Sequence, residues 1–533
     1  MPRTAARRDR TTTLLGAAAV VATAVSSALL TAGGADAAAA ARPFDLNGDG
    51  FAELVVGVPN ESLGTAAGTG AVAVLNGSAT GVVAAGNRLL AQSTPGVAGG
   101  DEAFDNFGAA LASADFDRDG FADLAVGAPG ENAAETVGGH GAVTVLYGSA
   151  SGVGGCRDQR LTPGNLAVAD LAAYTLEAGD LNGDGFGDLV TASGSWLDES
   201  HPHGGLTVVY GSSTGLRLTG TTHLDESAAG APGPASQGDQ FGRSMAVGDV
   251  TGDGIADLVA GTVRDGWVGG LYLFRGRPTG LSTTADQFLS QDSPTLAPTG
   301  TEWSEEGLGK MLAIGDFDGD GHGDVAAADV EGGPPGHAGC YAVDECPGAV
   351  LVLPGTSSGM DTAHPRVWSS DSSGVPGTAE AQDAFGGAMD AGDLDGDGRA
   401  DLAVGVVGDD ASPQEGFDAG AVDVLFGSPS GLTAARSQRW SQATPAVSGF
   451  PRRFDGFGSD VRVAQMGRSR AADLAVSVLG KDTGTVVDSG AVGVLYGVVG
   501  RGLAATGSQQ WSQGNPGVAG TPEDRDRFGV LGR

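Results

Sequence analysis

Cysteine, lysine and long apolar runs are all scarce in this chain. Three cysteines among 533 residues exclude a disulfide-built scaffold. Cys340 and Cys346 are close enough in sequence to close one small hairpin as a disulfide, which leaves Cys156 unpaired. Two lysines stand against 27 arginines, a bias expected of a high-GC bacterial source. Lysine and arginine together number 29 against 65 acidic residues, a net charge of −36. That balance excludes nucleic acid and anionic membrane as expected partners. Beyond the N-terminus no apolar run of ~18 residues occurs, so no membrane-spanning helix is expected downstream. No stretch carries the 3.6-residue period of an amphipathic helix. What abounds is glycine, 94 residues, enough for many turns.

Six times the chain spells a nine-residue acidic loop with glycine at its sixth position. Positions 1, 3, 5 and 9 are Asp45, Asn47, Asp49 and Glu53, then Asp115, Asp117, Asp119 and Asp123, then Asp180, Asn182, Asp184 and Asp188. The next copies place Asp249, Thr251, Asp253 and Asp257, then Asp316, Asp318, Asp320 and Asp324, and finally Asp393, Asp395, Asp397 and Asp401. Calcium takes six to eight hard oxygen ligands, and a short loop supplies them by placing side-chain oxygens at alternate positions. Position 7 varies among Phe, Ile, His322 and Arg399, as expected where only the backbone carbonyl is used. Glycine at position 6 lets the chain take φ > 0 and curl around an ion. An isolated Asp-Gly would read as an ordinary acidic turn; six copies at one spacing do not. An EF-hand needs a glutamate at position 12, where this chain has Val56, Val126, Thr191, Ala260, Ala327 and Val404. Six bound Ca²⁺ are therefore expected.

The first aspartates are 70, 65, 69, 67 and 77 residues apart, and a decayed seventh copy (Gln465, Gly467, Ser469, Asp473) follows after 72. This last loop has lost its ligands, and no calcium is expected there. Other words recur in step. Phe107-Gly108, Phe241-Gly242, Leu308-Gly309, Phe385-Gly386 and Phe457-Gly458 each stand eight residues before a loop, decayed to Ala172-Ala173 in the third repeat. Each loop leads into an apolar run, and an alternating run ending in a Gly-Ser turn comes next. Four strands per repeat at a fixed period predict an all-β array. The first repeat lacks its Phe-Gly strand, and Asp526-Arg-Phe528-Gly529 at the other end supplies one. The expected fold is a seven-bladed β-propeller of four-stranded antiparallel blades, closed by the C-terminal strand pairing into blade 1.

Phe-Gly, the acidic loop and Gly127-Ala128-Pro129 (Gly57-Val58-Pro59 in the first repeat) together resemble the FG-GAP repeat of the integrin α-subunit head. That repeat also occurs in the propeller of glycosylphosphatidylinositol-specific phospholipase D and in secreted bacterial proteins. The resemblance runs over residues 44–533. It implies calcium loops between the first two strands of each blade, on one face of the disc, and ligands bound on the other. The opposite-face loops here fall around 60–69, 130–140, 193–204, 264–269, 330–347, 409–418 and 481–488.

The N-terminus sets Arg3, Arg7, Arg8 and Arg10 before an apolar stretch from Leu14 to Leu30 and Ala35-Asp36-Ala37. Residues 1–37 are expected to be a signal peptide and residues 38–533 the propeller, secreted into the extracellular space or held at the cell surface. Removing residues 1–37 leaves −38, and the six loops hold 21 carboxylates, so six Ca²⁺ would bring the charge to −26. At tenfold saturation each site adds about 1.4 kcal/mol, so six add on the order of 8 kcal/mol against a usual domain stability of ~5–15 kcal/mol. Calcium is expected to be structural.

Gly211-Ser-Ser213-Thr-Gly215 and Gly355-Thr-Ser357-Ser-Gly359 match a nucleophile elbow, but they occupy the repeat's own turn word. His201-Pro-His203 lacks a third metal ligand, and Trp196, Trp267, Trp303 and Tyr341 cluster on the opposite-face segments. No acid–base or nucleophile constellation stands out. The expected function is a monomeric, non-catalytic ligand-binding or adhesion module for a protein or carbohydrate, with the 330–347 insertion in its contact surface. The alternatives are a hydrolase or lyase using the central funnel, and an envelope structural protein.

Overall fold

The apolar run behind each acidic loop is a strand covered on both sides, which is why it shows no alternation: Asp123–Ala128, Asp401–Val406 and Asp473–Val478 are buried at every position. A computed structural model describes residues 41–532 apart from 133–139, 155–156, 169, 194–203, 227–239, 265–267, 291–292, 294–295, 297–306, 331–345, 411–416 and 468. The proposed signal peptide lies outside the described residues.

The strands form seven antiparallel four-stranded sheets. Blade 2 shows the plan: Ala110–Ala114 innermost, then Asp123–Ala128, Ala142–Leu146 and Asp158–Leu161 outermost. Register Ala114↔Asp123 sets the acidic loop at the turn between the first two strands. Strand direction then puts the loop between strands 3 and 4 at the same end. The strand 2–3 loop and the link to the next blade fall at the other. Outer strands such as Val83–Leu90 and Thr433–Trp440 are partly exposed. One departure from the all-β expectation is a single helical turn, Pro163–Leu166, capped by Thr162; four residues are too few to show a period.

Apolar clusters lie between neighbouring blades rather than within them. Leu161 and Leu176 join blades 2 and 3, Phe385 and Val350 join 6 and 5, and Val56 and Val494 join 1 and 7. The Phe-Gly side chains Phe107, Phe385, Phe457 and Phe528 are buried in these seams. Gly108, Gly386 and Gly458 turn the chain at positive φ, 92° at Gly108, where an added Cβ would meet the Ala71 carbonyl oxygen at 2.5 Å. In the third repeat Ala173 takes the same turn at φ 48°.

Closure of the ring follows the expected route. Val530–Leu531 pairs antiparallel with Leu54–Val58 (Val56↔Leu531, Gly57↔Val530), so blade 1 takes its innermost strand from the far end of the chain. Leu531 N–H also donates to the Asp460 carboxylate of blade 7 (2.9 Å). The Tyr496 hydroxyl of blade 7 accepts from Val82 N–H of blade 1 (2.8 Å). Leu111, Leu176, Ser244, Met311, Gly387, Asp460 and Leu531, one from beside or within each innermost strand, line a single central cavity of about 360 Å³.

Candidate metal centres

The six acidic loops share one hydrogen-bond frame. The position-1 carboxylate folds back over the loop, Asp115 accepting from Asp119 and Gly120 N–H (both 3.1 Å) and Asp393 from Asp397 and Gly398 N–H (both 2.9 Å). Position 5 accepts from the N–H of position 7, at 3.0 Å for Asp49, Asp119, Asp184, Asp253 and Asp397 and 2.9 Å for Asp320. Position 9 ties the loop to the strand 3–4 turn: Asp123 accepts from Phe116 and Gly148 N–H, Asp188 from Leu181 and Gly211, Asp324 from Phe317 and Gly355, and Asp401 from Leu394 and Gly427. Asp257 binds Thr251 and Gly276 N–H in the same way, and Glu53 binds Leu46 N–H and the Asn47 amide. Position 4 also takes positive φ, at Gly48, Gly183, Gly252, Gly319, Gly396 and, without glycine's freedom, Arg118 (56°).

The loops are linked to one another. The N–H of position 8 donates to the position-1 carbonyl of the preceding loop: Ala122 to Asp45, Gly187 to Asp115, Ala256 to Asp180, Gly323 to Asp249, Ala400 to Asp316 and Ala472 to Asp393. Ala52 N–H then reaches Gln465 C=O at 2.7 Å and completes a circle of seven bonds.

The donors left over are oxygens. In the three loops with Asp at position 3, Asp115, Asp117 and Asp123, Asp316, Asp318 and Asp320, and Asp393, Asp395 and Asp401 each bring one oxygen within 4.8 Å of the others. Asp45 Oδ1, Asp117 Oδ1 and Asp395 Oδ1 are buried without any hydrogen-bond partner. Burial pushes Glu53 and Asp123 up to about 8 and Asp188 and Asp401 to about 7, with the neighbouring loop carboxylates adding to the rise. Orphaned, desolvated carboxylate oxygens around one point fit a hard cation. Two loops also hold an arginine that was not anticipated. Arg157 pairs with Asp117 while lying over the Tyr147 ring, and Arg436 pairs with Asp395 (2.7 Å) while lying over Phe426.

The seventh loop keeps the frame and fills its own centre. Asp473 still accepts from Met466, Gly467 and Gly497 N–H (3.1, 2.9 and 2.9 Å). Gln465, at position 1, turns its Nε2 inward and donates to the carbonyls of Gly467, Ser469 and Ala471. An amide donor stands in the loop whose counterparts in blades 1, 2 and 6 leave carboxylate oxygens unmatched.

The two Gly-x-Ser-x-Gly matches are turns, closed by Ser212 Oγ to Gly215 C=O (2.6 Å) and Thr356 Oγ1 to Gly359 C=O (2.7 Å). Cys346 is buried and disulfide-bonded. Cys340, Cys156, His201, His203, Trp196, Trp267, Trp303, Tyr341 and most of the 330–347 insertion lie outside the described residues.

The ring is a seven-bladed propeller, and the FG-GAP repeat matches the chain in three places, at residues 39–75, 107–146 and 241–274. The chain is 38% identical over 155 residues to phosphatidylinositol-glycan-specific phospholipase D of Rattus norvegicus, covering 28% of this chain and 17% of that protein. It is 33% identical over 177 residues to integrin alpha-IIb of Mus musculus, covering 32% and 15%, and 30% identical over 188 residues to integrin alpha-5 of Xenopus laevis, covering 34% and 16%. The matched part is less than a fifth of each relative. Among the described residues no helix is long and apolar enough to cross a membrane.

Proposed function

We propose that this chain is a secreted, calcium-stabilised, non-catalytic propeller that captures a protein or carbohydrate on the face opposite its acidic loops. The observation that carries this reading is a group of exposed rings on that face, at the rim between blades 6 and 7. Phe417 is 59%, Phe450 81% and Phe454 56% exposed. Arg453 lies 5.1 Å from the Phe417 ring centre and 4.6 Å from that of Phe454. Water-exposed aromatics stacked with a cation form the kind of patch that anchors a macromolecular ligand. Calcium is supported by the orphaned oxygens Asp45 Oδ1, Asp117 Oδ1 and Asp395 Oδ1 and by the Gln465 amide inside the seventh loop.

In a pull-down from the native culture, the whole chain should retain a partner that Phe417→Ser/Phe450→Ser/Phe454→Ser loses without a change in melting temperature. Equal retention by the triple variant would contradict the placement. Turnover of a polysaccharide or lipid by the purified protein, lost with a single loop mutation, would overturn the non-catalytic reading.

A further inference from the structure

The face opposite the acidic loops carries a second set of repeated polar positions. At four junctions among the described residues an aspartate stands two residues before the Phe of Phe-Gly, Asp105, Asp383, Asp455 and Asp526, and the next blade's strand 2–3 loop places a charged side chain near it, Glu131, Asp409, Lys481 and Glu61. Between blades 6 and 7 these are Asp455 and Lys481, and the buried ammonium is held by Asp455 Oδ2 (2.6 Å), Gln442 Oε1 (3.1 Å) and the Phe450 carbonyl. The positive charge is thus supplied by the protein.

Between blades 1 and 2 the same places hold Asp105 and Gln92, but the lysine is replaced by Glu131. The backbone equivalence is direct, since Gly490 N–H donates to Lys481 C=O as Gly141 N–H does to Glu131 C=O. Here Glu102, Asp105 and Glu131 each bring an oxygen within 4.8 Å of the others. Asp105 is 0% and Gln92 2% exposed, and Asp105 Oδ1 and Gln92 Oε1 have no hydrogen-bond partner. Among the described residues the opposing charge is one guanidinium, Arg160, on Glu131, whose other oxygen accepts from Gln92 Nε2. Three carboxylates against one cation leave a net negative, oxygen-lined point where the sister junction has an ammonium. The exposed Glu102 leaves it open to solvent. Between blades 7 and 1 the orphaned oxygens recur, as Asp526 Oδ1 and Gln513 Oε1 beside Glu61.

We infer that the junction between blades 1 and 2 binds a hard divalent cation through Glu102, Asp105, Glu131 and Gln92 Oε1, in the place Lys481 Nζ fills between blades 6 and 7. All-oxygen donors of this charge suit calcium. The ion pins the blade 1–2 link to the strand 2–3 loop of blade 2, on the face away from the six acidic loops.

Native mass spectrometry of the full chain in calcium tests this by difference, whatever the acidic loops hold. Glu131→Lys should install the sister junction's ammonium and bind one calcium fewer than the wild type, with its melting temperature in chelator maintained or raised. Asp105→Asn, nearly isosteric, should lose the same single ion and serves if the lysine variant does not fold. The reverse change, Lys481→Glu, should gain one. An unchanged calcium count in both Glu131→Lys and Asp105→Asn would overturn the site.

Discussion

Blade 7 and the other six blades solve one electrostatic problem in two ways. In three of the six, buried carboxylate oxygens of the acidic loop are left unmatched, at Asp45, Asp117 and Asp395. In blade 7 the same backbone frame encloses the Gln465 amide, which donates to three carbonyls. On the opposite face blade 7 again brings its own donor, Lys481, where the blade 1–2 junction has Glu131. The frame is thus kept in all seven blades while its centre differs: a donor of the protein's own in blade 7, and in the proposed reading a bound cation in the six.

The largest effect is expected at Asp473. Its carboxylate accepts three backbone N–H groups and no ion is proposed there, so Asp473→Ala should cost ~3 kcal/mol or more by orphaning buried donors. Urea unfolding should show this loss equally with calcium and with chelator; a loss confined to calcium-containing buffer would mean that the seventh loop is a metal site after all. Replacing residues 465–470 by Asp-Leu-Asp-Gly-Asp-Gly, the sequence of residues 393–398, should convert the self-filled loop to one that binds an additional calcium, read by calorimetric titration. No gain would mean that the ligand residues alone do not make the site.

A smaller effect is expected at the junction between blades 5 and 6. Burial pushes Asp383 up to about 7, with Asp409 adding to the rise and Arg439 opposing it. The native state therefore holds that proton more tightly than the unfolded chain, where the ordinary value is ~3.9. This contribution favours folding at low pH and is lost as the pH rises from about 4 to about 7. Asp383→Asn should raise the melting temperature relative to wild type more at pH 8 than at pH 5, and a pH-independent difference would contradict the assignment. The smallest effect concerns Arg436, half exposed against Asp395. Arg436→Gln should tighten calcium binding at that loop a few-fold, since a solvated ion pair is worth ~0–1 kcal/mol.

Much of the fold was legible because its signals are local and repeated. Aspartate spacing located the strand 1–2 turns, and the Phe-Gly at residues 528–529 identified the closing strand. The helical turn at 163–166 was not, and neither was the φ > 0 requirement at position 4, hidden because five of its six residues are simply glycine in a glycine-rich chain. The acidic loops were legible as a repeated spacing, but Arg157 and Arg436 reach them from about 40 residues away. The junction cluster was missed although Asp105, Asp383, Asp455 and Asp526 all precede a Phe by two residues. That spacing is a signal in itself. Its meaning depends on Glu131 or Lys481 arriving from the next blade, which only the assembled ring brings together.

The most direct test of the whole account is the melting temperature of the purified chain after chelation and after calcium is restored. Cations bound in the six acidic loops predict a large fall in chelator, reversed by millimolar calcium and not by sodium at equal ionic strength. A melting temperature indifferent to both would contradict the account.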